Sequence, residues 1–305
     1  MGKHTIVALD DFWVSPPPDF DHEIIEYATT GPDQLVERMK PATIITTAAM
    51  KVNRAGIEAA ENLQLIICTG TGSDHIDKVA ARERGVPSVM FPPRTRIVLP
   101  NMPLLCTMPY GGMLLNCTMS QQLVTNGRKA MSFDGLIRLL ESTPKRRKAI
   151  ERVGRALGMQ VLIAERKDAQ QTREGRVAFA EAIRQGTILI VSAPLDNSTR
   201  RMIAGPELAT MDPTARLINV GRGGVVDERA LAQALKDRKI GGAATDVFET
   251  EPATATTSPL LEAGIPNLVL SPHIAWYSSK TKQGTLKTIK ANLEAFVAGQ
   301  PINVV

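Results

Sequence analysis

The chain has 305 residues, 43% hydrophobic and 22% charged, which excludes a disordered chain, a collagen-like repeat and a disulfide-framed mini-protein. At roughly 150 residues per domain, its length predicts about two domains. Thirty-six Lys and Arg against 31 Asp and Glu leave a net +5, but the signs are interspersed and aromatics reach only 4%, so no nucleic-acid surface is expected.

No apolar run approaches the ~18 residues of a membrane span. The opening MGKHTIVALDDFW has too short an apolar stretch for a secretory signal. Cys68, Cys106 and Cys117 have no metal-ligand spacing and leave an odd thiol in any disulfide scheme. A cytoplasmic protein without a metal is the expectation.

In chain order, short apolar runs at residues 5–9, 43–46, 64–69 and 87–90 read as strands. Helical patterns lie between them near 33–39, 54–60 and 76–84, with Gly85 at a helix stop. This alternation predicts a parallel sheet covered on both faces. Residues 102–147 then break the pattern: they hold five of the twelve methionines and show neither period two nor period 3.6. Lys145, Arg146, Arg147 and Lys148, followed by Arg152, read as a solvated helix start or as a phosphate site. Ile150, Val153 and Leu157 share one helical face, and Gly158 ends it. Strands follow at 160–165, 187–193, 216–220, 240–246 and 268–271. Asp227 is a plausible N-cap for a helix burying Leu231, Ala234 and Leu235. A last helix carries Leu286, Ile289, Leu293, Phe296 and Val297, closed by Gly299.

Three residues stand out chemically, each just after a predicted strand, where open α/β sheets place ligands. Arg222 lies in INVGRGGVVDE, where an arginine can grip a carboxylate through two parallel hydrogen bonds and the adjacent glycines admit a ligand. Glu251 lies in TDVFETEP. His273, the sole histidine of the C-terminal half, lies in LSPHIAW. A carboxylate beside an imidazole makes a poised general acid near neutrality. The plainer readings are an exposed loop arginine and a structural histidine.

The segment SAPLDNSTRRMIAGPELATMDPTARLINVGRGGVVDERALAQALKDRKIGGAATDVFETEP, with NLVLSPHIAW after it, resembles the D-isomer-specific 2-hydroxyacid dehydrogenases. The likeness runs from about Val153 to the C-terminus and is greatest to glycerate dehydrogenase and hydroxypyruvate reductase members. A looser one covers LQLIICTGTGSDHIDKVAARERGV, which looks like the family's substrate-binding loop. The resemblance implies that Arg222 binds the substrate carboxylate and polarises its keto oxygen. It implies that His273 donates the proton and that Glu251 holds His273 protonated and oriented. Backbone amides around Thr71, Gly72 and Ser73 would complete the carboxylate site. Asp246 would bind the nicotinamide amide, and Pro194 would line the adenine pocket. Glu165 would take the 2′-hydroxyl of NAD, or Arg166 and Lys167 the 2′-phosphate of NADP.

One departure stands out. The glycine-rich dinucleotide turn should occupy Ser142 to Arg147, yet that window reads Ser142, Thr143, Pro144, Lys145, Arg146, Arg147. The stretch 136–141 before it looks a poor first strand. Either the loop is lost and the cofactor site weakened or absent, or the cations hold the pyrophosphate by charge.

The expected fold class is α/β: two flavodoxin/Rossmann-like domains with parallel sheets and a cleft between them. Residues 1–100 plus 280–305 would form the substrate domain, and 101–279 the nucleotide-binding domain, atypical at 102–147. The expected function is NADP- or NAD-dependent reduction of a small 2-oxo acid, of hydroxypyruvate or glyoxylate type, to a D-2-hydroxy acid, with a homodimer implied. The alternative is a non-redox or inactive descendant that binds a carboxylate ligand or a partner without nucleotide.

Overall fold

The structure is a computed structural model that describes residues 3–10, 17–70, 72–90, 136–140 and 144–305. The chain divides into two units, Met1–Thr95 with Tyr277–Val305, and Arg96–Trp276.

The first unit is built on five parallel strands: β1 (His4–Ala8), β2 (His22–Glu26), β3 (Ile44–Thr47), β4 (Leu65–Cys68) and β5 (Ser88–Val89). Their order is β2-β1-β3-β4-β5. The central strands are apolar on both faces because helices cover both. Val7, Ile45 and Ile66 pack with Leu35 and Met39 of α1 (Leu35–Met39), Ile57 of α2 (Arg54–Ala59) and Ala80 of α3 (Lys78–Glu83). Ile6, Ile44, Leu65 and Ile67 pack on the other face against Ile289 and Leu293 of the long C-terminal helix (Ser279–Val297). Helices α2 and α3 begin at side-chain caps: Asn53 accepts from Gly56 N at 3.0 Å and Asp77 from Ala80 N at 2.9 Å.

Seven parallel strands form the second unit: β6 (Leu136–Leu140), β7 (Gln160–Ala164), β8 (Arg176–Val177), β9 (Ile188–Val191), β10 (Arg216–Asn219), β11 (Gly242–Thr245) and β12 (Leu268–Leu270). Their order is β12-β11-β10-β9-β6-β7-β8, so the first strand is central and the direction of winding reverses between β6 and β9. That order is the doubly wound dinucleotide-binding arrangement, which places ligands at the carboxyl ends of its strands near the reversal.

The structure corrects the reading of 136–141. Leu136–Leu140 is the central strand, pairing Ile137 with Ile188 on one side and Val161 on the other. Its pattern LIRLL shows no period two, which a strand paired on both sides within a parallel sheet need not show. The cationic run enters the next helix, α4 (Pro144–Ala156), which buries Ile150. That helix ends at Ala156, so Leu157 falls beyond it and is half exposed. Helices α5 (Phe179–Gln185), α6 (Gly205–Thr210) and α7 (Glu228–Lys236) follow, and the C-terminal helix of the first unit is α8. Asp227 caps α7 by accepting from Ala230 N at 3.0 Å. Phe179, Ile183, Leu208, Leu231 and Leu235 from these helices share a core with Leu189 and Leu217. Among the described residues no helix is long and apolar enough to cross a membrane.

Candidate active site

Arg222, Glu251 and His273 sit in the turns that follow β10, β11 and β12, three neighbouring strands of the second unit. Parallel pairing in register brings these ends to the same edge of the sheet, with neighbouring strands spaced about 4.8 Å apart. The turn after β10 is fixed from within. Asn219 Nδ2 donates to Arg222 O at 3.1 Å, and Asn219 Oδ1 accepts from Gly221 N at 3.1 Å. Two glycines let it lie against its neighbours: a Cβ on Gly221 would lie 2.6 Å from Ala193 O, and one on Gly223 only 1.8 Å from Phe248 O. Arg222 emerges half-buried from this packed turn, with Nη1 donating to Gly221 O at 3.0 Å.

Glu251 is held at its turn by Phe248 N, which donates to its Oε1 at 2.9 Å. Its other oxygen, Oε2, lies 2.6 Å from His273 Nδ1. A carboxylate only accepts, so Nδ1 carries the proton of this bond and Nε2 faces the other way round the ring. Behind the turn, buried Glu228 accepts from Glu249 N at 2.6 Å and from Ser258 Oγ at 2.5 Å. His273 itself has φ 53°, a left-handed backbone that residues with a side chain seldom adopt.

Asp246, at the end of β11, is buried. Its Oδ1 accepts from Ser271 Oγ at 2.6 Å and Ile274 N at 2.9 Å, and its Oδ2 from Ala275 N at 2.9 Å. Burial pushes its carboxyl above the ordinary aspartate value, and these donors oppose that shift.

Glu165 follows β7 and is buried, but its carboxylate is occupied from within the protein. It accepts from Arg166 N at 2.9 Å, Arg173 N at 3.2 Å and Arg173 Nε at 2.8 Å, with Arg173 Nη2 also in contact and Arg176 Nη1 at 3.5 Å. The Arg173 guanidinium holds this carboxyl well below the usual range. Beside it a cavity of about 320 Å³ is lined by Arg166, Lys167, Asp168, Ser198, Thr199 and Met202. Lys167 Nζ lies 2.9 Å from Glu207 Oε1 at its edge. Pro194, exposed after β9, accepts from Thr199 Oγ1 at 2.7 Å.

In the first unit Gly72 and Ser73 follow β4, where buried Cys68 Sγ donates to Gly72 O at 3.0 Å and Lys78 Nζ to Ser73 Oγ at 3.2 Å. Thr71, Ser142 and Thr143 lie outside the described residues, as do Cys106 and Cys117. Pro144 to Arg147 form the first turn of α4.

The residues after β7 and β9 that would hold the adenosine end of a dinucleotide are Arg166, Lys167, Ser198 and Thr199, with Asp168 in the same lining. Sequence reasoning missed Arg173, Arg176, Ser271 and Glu228. Only Asn219, two residues before a glycine-rich turn, carried a local signal, that of a side chain capping its own turn.

A seven-stranded dinucleotide-binding sheet with a carboxylate–imidazole pair at its strand ends defines a Rossmann-type oxidoreductase. The sequence model for the D-isomer specific 2-hydroxyacid dehydrogenase NAD binding domain matches residues 147–275. The glycerate dehydrogenase of Methylorubrum extorquens is 32% identical over 305 residues, covering 94% of this chain and 93% of that protein. The hydroxypyruvate reductase of Blautia hydrogenotrophica is 26% identical over 98% of this chain and 99% of its own. Among solved structures, the NADPH-dependent glyoxylate/hydroxypyruvate reductase of Sinorhizobium meliloti superposes with a TM-score of 0.74 at 24% identity, over 99% of this chain and 97% of that one. The chain belongs to the D-isomer specific 2-hydroxyacid dehydrogenase family.

Proposed function

We propose that this protein reduces a small 2-oxo acid, of the glyoxylate or hydroxypyruvate type, to the D-2-hydroxy acid with NADPH or NADH. The observation that carries this reading is the 2.6 Å pair between His273 Nδ1 and Glu251 Oε2, at strand ends beside the Arg222 turn. Arg222 binds the substrate carboxylate and, with its second edge, polarises the keto oxygen. Glu251 accepts a hydrogen bond from His273 Nδ1–H, which keeps that proton on the ring, and so turns Nε2 toward the keto oxygen. His273 then gives its Nε2 proton to the oxygen as the carbonyl becomes a hydroxyl, and takes it back in the reverse direction. The nicotinamide, when bound, supplies the hydride to the carbon.

The same reading favours NADPH over NADH. Glu165, the acid expected to take a ribose hydroxyl, already accepts from Arg166 N and three Arg173 donors, while Arg166 and Lys167 line the adjoining cavity. A 2′-phosphate meets Arg166 and Lys167 there, the latter shared with Glu207, and a 2′-hydroxyl finds the Glu165 carboxylate committed.

The test is a fluorescence titration of the purified protein with NADPH and NADH, followed by a 2-oxo acid screen. Saturable binding, tighter for NADPH, and turnover with a small 2-oxo acid are expected. His273→Ala should keep nucleotide binding and lose turnover by about 10²–10⁴-fold. No binding up to millimolar nucleotide by folded protein would replace this reading with that of a carboxylate-binding descendant.

A further inference from the structure

His273 adopts a left-handed backbone with φ 53°, and something must pin it there against relaxation. Among the described contacts, one residue brackets it on both sides. Asp246 O accepts from His273 N at 2.7 Å, Asp246 Oδ1 from Ser271 Oγ and Ile274 N, and Asp246 Oδ2 from Ala275 N. The chain from Ser271 to Ala275 is thus wrapped around a single buried aspartate, with the imidazole projecting from the middle of the wrap.

We propose that Asp246 is the positioning residue of the reaction, a clamp that holds the left-handed His273 so that its imidazole meets Glu251 on one side and the substrate oxygen on the other. The proposal rests on the reading of His273 as the proton donor. It stands beside the nicotinamide-amide contact that the resemblance implies for Asp246: Oδ1 is filled by Ser271 Oγ and Ile274 N, while Oδ2 receives Ala275 N and keeps a second acceptor position.

A carboxylate suits the task because it only accepts, and all three groups it meets are donors. A carboxamide of the same shape would set an N–H against Ala275 N–H, or, turned over, against Ser271 and Ile274. The turn would then leave its left-handed bend, and the ring would swing from the line between Glu251 and the substrate. Misplacement of a reacting group by about 1 Å costs on the order of 10²-fold in rate.

The decisive experiment compares wild type, Asp246→Asn and Ser271→Ala in three measurements. These are kcat with a 2-oxo acid at saturating NADPH, Kd for NADPH by fluorescence, and the proton resonance of His273 Nδ1. The Asn variant should lose kcat by roughly 10²-fold while Kd for NADPH stays within about threefold. Its Nδ1 proton, expected downfield in wild type through the bond to Glu251, should broaden or vanish. Ser271→Ala removes one leg of the clamp without touching the carboxylate, and should lower kcat to a smaller degree at unchanged Kd. It carries the test if the Asn variant does not fold.

Wild-type kcat with an intact Nδ1 resonance in either variant overturns the clamp. A weakened Kd for NADPH with unchanged kcat overturns it in favour of a cofactor ligand. If the wild-type protein reduces no 2-oxo acid, the proposed function fails on its own. The presence of the Nδ1 resonance in wild type and its loss in Asp246→Asn still decide the clamp.

Discussion

Glu165 stands at the end of β7 with its carboxylate enclosed, accepting from Arg173 through backbone and guanidinium together. The guanidinium, foremost, and the two backbone amides hold the carboxyl well below its ordinary value of 4.5, against the burial that would raise it. The unfolded chain therefore binds a proton on Glu165 at a pH where the folded chain does not. Its contribution to stability is complete above about pH 4.5 and is lost as the pH falls below that. Glu165→Gln should lower the Tm most at neutral pH, with the gap to wild type closing as the pH is taken down from 5 toward 3. Thermal unfolding followed by circular dichroism at a series of pH values checks this. A constant gap would mean that the Arg173 contact acts by shape alone. Arg173 and Arg176 carried no signal in the sequence, because their partner Glu165 lies eight and eleven residues back. That Arg222, Glu251 and His273 lie in the turns after three strands was readable, because position in the chain after a strand reports position at the sheet's carboxyl end. The grip of Asp246 on Ser271 through Ala275 was not readable, since it spans 25 to 29 residues and depends on the register of β11 against β12.

At the level of elements, the strands that declared themselves were the central apolar ones, such as Leu65–Cys68 and Ile188–Val191. The edge strand His22–Glu26 was missed: HEIIE has two apolar residues in five, which is how an edge open to water reads. Leu136–Leu140 was underrated because the stretch before it carries no periodic signal. The closest fit in the candidate site is also made by elements. The β10 turn bears on the β11 turn at Gly223, where a Cβ would sit 1.8 Å from Phe248 O and 2.4 Å from Glu249 N. Those atoms are backbone and cannot swing aside. Gly223→Ala should therefore cost about 1–3 kcal/mol of stability, the usual penalty of overpacking. It should also drive apart the turns that carry Arg222 and Glu251, lowering turnover more than the stability loss explains. Gly284 in α8 is the control: nothing lies within 4 Å of its Cβ position, so alanine there should stabilise by about 0.4–1 kcal/mol. Urea unfolding and steady-state turnover of the two variants measure both effects.

Over the whole molecule, two parallel sheets have separate cores and separate strand orders, and the family's NAD binding domain model falls entirely within the second unit. A ligand held by one unit stabilises that unit by mass action, about 2.7 kcal/mol at a hundred times its Kd. Amide hydrogen exchange resolves where that energy appears. If NADPH binds at the carboxyl ends of the second sheet, amides of β7, β9 and β10 should gain protection on its addition. Those of β1, β3 and β4, whose side chains pack among themselves and with α1, α2, α3 and α8, should exchange at their former rates. Addition of a 2-oxo acid to the nucleotide-bound protein should then slow exchange in the turns after β10, β11 and β12, where Arg222, Glu251 and His273 reside. Protection spreading equally through β1, β3 and β4 with NADPH alone would mean that the two cores open as one cooperative body. Protection absent from β7 and β9 would remove the nucleotide from the second sheet and with it the mechanism built on that sheet's strand ends.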